Sequence, residues 1–555
     1  MIRIRHPGRL HSAALLAASL LLGTSGVAQA QDATGASGPV TTEQSPAPIS
    51  SREKTEIKLS LGEAIRTALA NNYDIKIASI NRSIQTRQEI IEKALFIPDL
   101  VAGYKLDKGR RPSASVLEIG NPALQDVEVN PVEDRSYNVG LRGRSDYGAN
   151  YAIRLRQSRL DQPRTRDAGI IGLNPQNNVS VAIELTQPLL RGVGQDYNLA
   201  GVRLAANNKE ISVHELKRTI ANLVYQLEVA YWQLSFSWKN FEAKTKSREG
   251  ALQNFENVKA ARDEKRRSDL DVITAESQLS LRNVELSEAR SLLEDSRDTV
   301  LLIINFPRDF EIRKGRQFAF HNVEVDPISE PEMSSLFSSK DIDSIRTEAL
   351  NSALDLRPEY QQVNIELLNK EIEADVAFHQ RLPSLNLVSS WEQLGLDETH
   401  GNGYSGLGTF DFYAFTVGVE FEFGAFSQLG RELHYQALDE VRQINFKKAQ
   451  VSDQIVLEVD QSIRNLLSLH SRVRDLQKRV ELQGAILDKE REKLELGRTT
   501  YYNVTVIEND LIASQALSLR SVAEYQAAKS HYYLVTGRLL MERGVSSTVV
   551  DSLPR

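Results

Sequence analysis

The chain has 555 residues, 67 Lys+Arg against 74 Asp+Glu, a formal charge of −7 and no cysteine. That balance excludes binding driven by bulk positive charge, so no nucleic-acid partner is expected, and the missing thiols exclude disulfides, thiolate metal sites and cysteine nucleophiles. A composition of 41% hydrophobic, 7% aromatic and 25% charged residues suits a folded, water-contacting protein with little material for one thick core, so an elongated molecule is expected.

At the N-terminus Arg3, Arg5 and Arg9 precede an apolar run, Ala13 to Leu22, too short for a bilayer of roughly 30 Å. Ala28-Gln29-Ala30 then supplies a small-x-small cleavage signal. Residues 1–30 read as a secretory signal peptide, whose removal takes three arginines and moves the charge from −7 to −10; a single N-terminal anchor is the alternative. Residues 31–56, rich in Ala, Ser, Thr, Pro and Gly, read as a flexible leader. No later stretch approaches 18 consecutive apolar residues, so any membrane contact would need a β-barrel.

The body of the chain repeats itself. Ala68-Leu69-Ala70-Asn71-Asn72-Tyr73 lies on Ala353-Leu354-Asp355-Leu356-Arg357-Pro358 at a shift of 285, and the same shift lays Phe96-Ile97-Pro98-Asp99-Leu100 on Arg381-Leu382-Pro383-Ser384-Leu385. Each copy is helical in pattern until a proline, after which apolar and polar residues alternate: a helix runs into a strand, twice. Val181-Ala182-Ile183-Glu184-Leu185 then matches Val417-Gly418-Val419-Glu420-Phe421 at a shift of 236. The shift falls because the first copy carries 49 extra residues, which hold a further hairpin, Tyr137–Ser158, turning near Asp146-Tyr147-Gly148. The domains expected are 57–305 as the first structural repeat, 306–340 as an inter-repeat equatorial segment broken by Pro307, Pro327 and Pro331, 341–540 as the second repeat and 541–555 as a tail.

The strands have one apolar face. Phe415, Val417, Val419, Phe421 and Phe423 alternate with Thr416, Gly418, Glu420 and Glu422, and Val179, Val181, Ile183 and Leu185 alternate with Ser180, Ala182, Glu184 and Thr186. A soluble sandwich would give the same alternation. For an exported chain with few strands, lipid outside and water inside is the favoured reading, and Tyr104, Tyr137, Tyr151, Trp391, Phe410, Phe412 and Tyr413 suit an aromatic girdle.

Two stretches, from Gly194 to about Arg266 and from Gly430 to Gly497, make helices of ~100 Å at 1.5 Å per residue. Leu216, Ile220, Leu223, Leu227, Ala230 and Leu234, and again Leu466, Leu469, Val473, Leu476 and Val480, then Leu487 and Leu494, form apolar seams of the kind that pack helix on helix. Each long helix ends in a polar tip, Asp263-Glu264-Lys265-Arg266-Arg267-Ser268 or Gly497-Arg498-Thr499-Thr500-Tyr501-Tyr502, and returns.

Four core strands per chain, or six if the 137–158 hairpin joins them, cannot close a membrane barrel alone, since single-chain barrels begin at about eight strands. Three copies of four, giving twelve strands, is the simplest closure. At this point Leu59-Ser60-Leu61-Gly62-Glu63-Ala64-Ile65, Arg357-Pro358-Glu359, Leu382-Pro383-Ser384-Leu385, Gln187-Pro188-Leu189-Leu190-Arg191-Gly192 and Gly497…Asn503-Val504 resemble the TolC-type outer-membrane efflux proteins over about residues 57–540. The resemblance implies a mainly α fold with β: a long α-helical coiled-coil barrel continuous with a trimeric transmembrane β-barrel. It further implies a homotrimer in outer-membrane lipid, a tunnel in the periplasm, and docking to a periplasmic adaptor (membrane fusion protein) and an inner-membrane pump or ABC transporter.

In that family an acid just after the hairpin tip helps line the periplasmic aperture. Asp271 fits that position, while its counterpart in the second copy is Asn503, so the second acid is missing. Asp271 also reads as a first-turn acid at a helix N-terminus. Glu276 and Glu508 are further aperture candidates, read more readily as solvated helix positions. Lys265, Arg266, Arg267, Gly497, Arg498 and Thr499 are candidates for adaptor contact, with a plain solvated turn as the alternative, and Lys265 stands where the family has glycine.

No His-Glu-x-x-His, phosphate-binding glycine loop, dinucleotide fingerprint or G-x-S-x-G elbow occurs, so neither an enzyme nor a cofactor is expected. The reading is a passive export duct of a tripartite efflux or type I secretion system; the alternative is a periplasmic coiled-coil scaffold or adaptor without a pore.

Overall fold

The computed structural model describes residues 55–113, 128–162, 173–306, 309–313, 316–320, 323–329, 331, 342–424 and 428–545. The expected signal peptide, nearly all of the expected leader and most of the expected tail lie outside them. In chain order the elements are β1 (Thr55–Leu59), α1 (Leu61–Asn71), α2 (Tyr73–Ala94), β2 (Asp99–Ser113), β3 (Glu128–Arg144), β4 (Asn150–Asp161), β5 (Gln176–Pro188), α3 (Ala200–Asp263) and α4 (Asp269–Ile303). Then follow β6 (Asp309–Arg313), β7 (Arg316–Phe320), β8 (Val323–Pro327), α5 (Ile342–Leu356), α6 (Pro358–Gln380), β9 (Ser384–Asp397), α7 (His400–Thr409), β10 (Tyr413–Glu422), α8 (Leu429–Glu495) and α9 (Tyr501–Val535). Single helical turns at Gln195–Asn198 and Leu539–Glu542 complete the set.

Local chemistry explains the breaks. Ser60 and Glu63 form a capping box at the start of α1, and the Asn72 side chain caps α2 while ending α1, so one residue turns the chain between two helices. Pro358 opens α6, where its missing N–H costs nothing. The long helices contain 64 and 67 residues and their returns 35 each. The first begins at Ala200 rather than Gly194, because Leu199 leaves helical geometry after the one-turn segment.

Of the two alternatives, four strands per chain or six with the 137–158 hairpin, the principal sheet takes the second among the described residues. It has six, all antiparallel, in the order β10-β9-β5-β4-β3-β2. The physical reason is register: β4 pairs along its length with β5, Leu155 opposite Val181 and Ile153 opposite Ile183, so the inserted hairpin enters the sheet instead of standing outside it. Among the described residues no strand pairs with its two edges, β2 and β10. One face is apolar across all six strands, running Leu100, Leu141, Ile153, Ile183, Trp391 and Phe415 through consecutive register partners. On β10 those side chains are 55–67% exposed. The opposite face carries Lys105, Arg142, Arg154, Glu184, Glu392 and Glu420.

Two small sheets stand apart, a parallel β1–β8 pair and an antiparallel β6–β7 hairpin. The first begins at Thr55, two residues inside the expected leader. It anchors the equatorial segment to the helices, because the nearly buried Arg297 of α4 binds Asp326 at 2.6 Å, Glu324 at 3.2 Å and the Val325 carbonyl at 3.2 Å.

The helices form one layer that changes membership along its length. Next to the sheet the order is α2, α3, α6, α8; toward the tips it is α4, α3, α9, α8. The first seam is buried as expected, with Leu216, Ile220, Leu223, Leu227 and Leu234 in one core cluster alongside Val300 and Leu301 of α4. Leu466 and Val473 of the second pack with Tyr525 and Tyr532 of α9. The fully buried Glu228 of α3 accepts two bonds from Arg543, at 2.6 and 2.8 Å, and one from the Ser530 hydroxyl.

Removing one partner of such a buried pair leaves an uncompensated charge. Arg543→Ala should therefore cost roughly 3–5 kcal/mol and release the segment after α9, read as a lower thermal midpoint and new proteolysis there. A second expectation concerns acid. Lys93 and Lys209 donate to Glu89 at 2.6 and 2.9 Å between α2 and α3, and their bonds push its carboxyl down from 4.5 to about 2. A depressed carboxylate contributes stability above its unfolded pKa and loses it as pH falls through the folded one. The α2–α3 clamp should weaken between about pH 4.5 and 2, and Glu89→Gln should remove that dependence in hydrogen exchange of α2.

Candidate functional site: the hairpin tips and the two faces of the sheet

Both hairpins turn through a residue in left-handed geometry, Lys265 with φ 63° and Gly497 with φ 67°. Glycine takes that region freely, whereas a side chain there is strained. The first tip therefore keeps the turn shape of the second without its glycine. Lys265, Arg266 and Arg267 are exposed, as are Gly497 and Arg498. Arg266 pairs with Glu264.

Beyond each turn a capped helix starts. The Ser268 N–H and hydroxyl donate to Asp271 at 3.1 and 3.0 Å, and the Asp271 N–H returns a bond to the hydroxyl at 3.2 Å. Asp271 is thus the third-position member of a capping box, which accounts for one of its carboxylate oxygens. In the second hairpin Thr500 caps the helix through the Asn503 N–H at 3.4 Å, and the Asn503 amide donates to Thr499 at 3.3 Å. Asp271 and Asn503 therefore occupy equivalent positions, as the sequence alignment places them.

Glu276 is exposed on α4, and Glu508 lies 3.4 Å from Arg491. Glu276 lies five positions beyond Asp271 on α4, and Glu508 lies on α9.

Several residues that the sequence reading did not single out hold the tips in place. Glu490 accepts from Thr499 at 2.6 Å and pairs with Lys493 at 2.9 Å, and these bonds hold its carboxyl below the usual range. Asn254 of α3 binds the Tyr501 hydroxyl, and the nearly buried Arg282 of α4 reaches Asn509 of α9 and Glu285, the latter at 2.8 Å. Lys244 joins Glu285 at 3.0 Å. The two hairpins are thereby tied to each other by polar bonds rather than by apolar packing alone. Nothing in the spacing of single residues marks partners separated by 227 or 247 positions.

At the other end, aromatic residues sit at both limits of the apolar face. Tyr104 and Tyr137 rings lie 4.9 Å apart and Trp391 and Phe410 6.5 Å apart at the end far from the helices, and Phe421 and Phe423 stack at 6.4 Å at the helical end. The connections are asymmetric as well. The turn at the helical end spans only residues 145–149, whereas at the far end 114–127 and 162–175 join strands and α7 lies between β9 and β10. Short turns on one side, long connections on the other and two aromatic limits match the anatomy of outer-membrane barrels.

No family model and no curated protein matches the sequence. Among solved structures the chain is similar to the CmeC outer-membrane channel of Campylobacter jejuni, at 12% identity and TM-score 0.57, covering 86% of each chain. It is similar to the outer-membrane protein VceC of Vibrio cholerae, at 11% identity and TM-score 0.57, over 86% of this chain and 96% of that one. The open state of the MtrE outer-membrane channel of Neisseria gonorrhoeae matches at 15% identity and TM-score 0.56, over 86% and 89%.

The strained turn gives a direct test. Lys265→Gly should stabilise the first tip by about 1 kcal/mol, and Gly497→Ala should destabilise the second by a similar amount; hydrogen exchange at residues 262–268 and 494–500 checks both. With helices, turns and sheet faces placed, the chain has the fold of the TolC-type outer-membrane channels.

Proposed function

We propose that the chain is one protomer of a homotrimeric outer-membrane duct whose helices continue as a tunnel in the periplasm. The observation that carries this is the continuity of two unsatisfied borders. On one side β2 leaves an open edge and α2 and α4 expose Ile80, Ile84, Ile90, Leu270 and Ile273; on the other, β10 leaves an open edge and α8 exposes Leu429, Phe446 and Ile486. A wall with open strand edges and apolar helix borders on both sides is complementary to another copy of itself. β2 runs away from the helices and β10 toward them, so the first strand of one copy meets the last strand of the next in antiparallel sense. Open edges are not tolerated in hydrocarbon, and head-to-tail closure removes them.

Similarity of fold to outer-membrane channels supports the same reading, and with it localisation in the outer membrane and passive conduction rather than catalysis. The parallel helix lengths of the two halves support two structural repeats, 57–305 and 341–540. In this reading Asp271 and Asn503, with Glu276 and Glu508 further along, face the periplasmic aperture. Lys265, Arg266, Arg267, Gly497, Arg498 and Thr499 meet a periplasmic adaptor, which couples the duct to an inner-membrane pump or ABC transporter in tripartite efflux or type I secretion. Conduction is governed by bore width and lining charge, with the energy supplied by that partner.

Outer-membrane fractions should yield a heat-sensitive trimer that conducts in planar lipid, and single cysteines at Arg266 and Arg498 should cross-link to an adaptor. Soluble monomer without conductance would support the pore-free scaffold instead.

A further inference from the structure

The first half of the chain places four strands in the sheet and the second half two. The surplus is the β3–β4 hairpin, which pairs along its length with β2 on one flank and β5 on the other. Its apolar side chains Val139, Leu141, Ile153 and Leu155 are 37–50% exposed. They continue the same face as Leu100 on one flank and as Val181 and Ile183 on the other. Its other face is joined to the flanking strands by charge: Arg142 lies 3.6 Å from Asp99 of β2, and Arg154 pairs with Glu184 of β5.

The hairpin is also locked at its turn. The Gly194 N–H donates to the Tyr147 carbonyl at 3.3 Å, Gln195 donates to Asp146 at 2.6 Å, and Arg144 binds Asn198, which itself holds the Gly192 and Gly194 carbonyls at 2.8 Å. Gly148 has φ 94°, and a Cβ there would come within 2.4 Å of the Gly192 carbonyl oxygen. Only glycine lets the turn sit against the junction where β5 hands over to α3.

Resting on the trimeric duct above, we infer that this hairpin widens the membrane barrel to eighteen strands, six from each copy, and so opens an exterior mouth for bulky solutes. Strands about 4.8 Å apart and tilted by about 40° give eighteen strands a backbone diameter of about 36 Å, against about 24 Å for twelve. With ~5 Å of side chain on each wall, the bore is roughly 25 Å instead of roughly 14 Å. Barrels of 16–18 strands are of the size that leaves an aqueous channel. The solute class is therefore set by girth: cargo about 20 Å across passes this mouth and would not pass a twelve-stranded one.

The absence of native cysteine makes the test direct. Single cysteines are placed at Asn138 and Val139 on β3, at Ala152 and Ile153 on β4, and at Thr416 and Val417 on β10, and the trimer in lipid vesicles is exposed to a membrane-impermeant thiol reagent. Thiolates form in water and not in hydrocarbon, so Asn138→Cys, Ala152→Cys and Thr416→Cys should label about tenfold faster than Val139→Cys, Ile153→Cys and Val417→Cys.

Alternation at 416/417 with uniform labelling at 138/139 and 152/153 would place the hairpin outside the wall and overturn the wider barrel while leaving the duct intact. Loss of alternation at 416/417 would overturn the duct itself. An assembly of two copies, which closes with twelve strands, would overturn the eighteen-stranded barrel. Deleting residues 114–161, which joins β2 to β5 through 162–175, should exclude from the exterior mouth a neutral polymer about 20 Å across that the parent admits; equal admission would overturn the inference.

Discussion

A peptide group left unbonded in hydrocarbon costs several kcal/mol, and that penalty governs this molecule more than any side-chain contact does. A six-stranded sheet presents two rows of such groups. In the proposed duct, satisfying them requires an even number of strands per copy, because the ascending β2 would meet a descending β10, and the helices attached to those strands would meet their counterparts as well. In that reading the apolar borders of α2, α4 and α8 continue, in water, a rule imposed inside the membrane.

The helical layer answers to a different constraint. Helices of 64 and 67 residues cannot be held by one core, so the packing is divided. One cluster gathers around Leu227 and Leu301 beside the equatorial strands, and another around Val459 and Tyr525. Below them, polar ties through Arg282, Asn254 and Tyr501 take over. Burial fades toward the tips, which is where a wall that must present polar groups to water on both sides has least apolar area to hide.

Much of this was legible in the sequence. The seam of Leu216, Ile220, Leu223 and Leu227, the prolines at 98 and 383, and the alternation around Val417 each report a local period, and local periods survive translation into structure. The hairpin turning near Gly148 was legible as a hairpin, but its place between β2 and β5 was not, since that depends on cross-strand register with residues 30 positions away. Asp271 could be recognised as a first-turn acid, yet its reciprocal bond to Ser268 identifies a cap more firmly than its charge does. The parallel pairing of Thr55 with Val323 left no trace, because a five-residue strand carries too little pattern to announce a partner so distant.

That pairing bears on how the protomer matures. β1 waits for β8, β5 waits for β9, and α9 must return to pack on α3, so these three contacts can close only after the chain between them has been made. Distant contacts of this kind are slow to form and prolong the lifetime of sticky, half-made sheet.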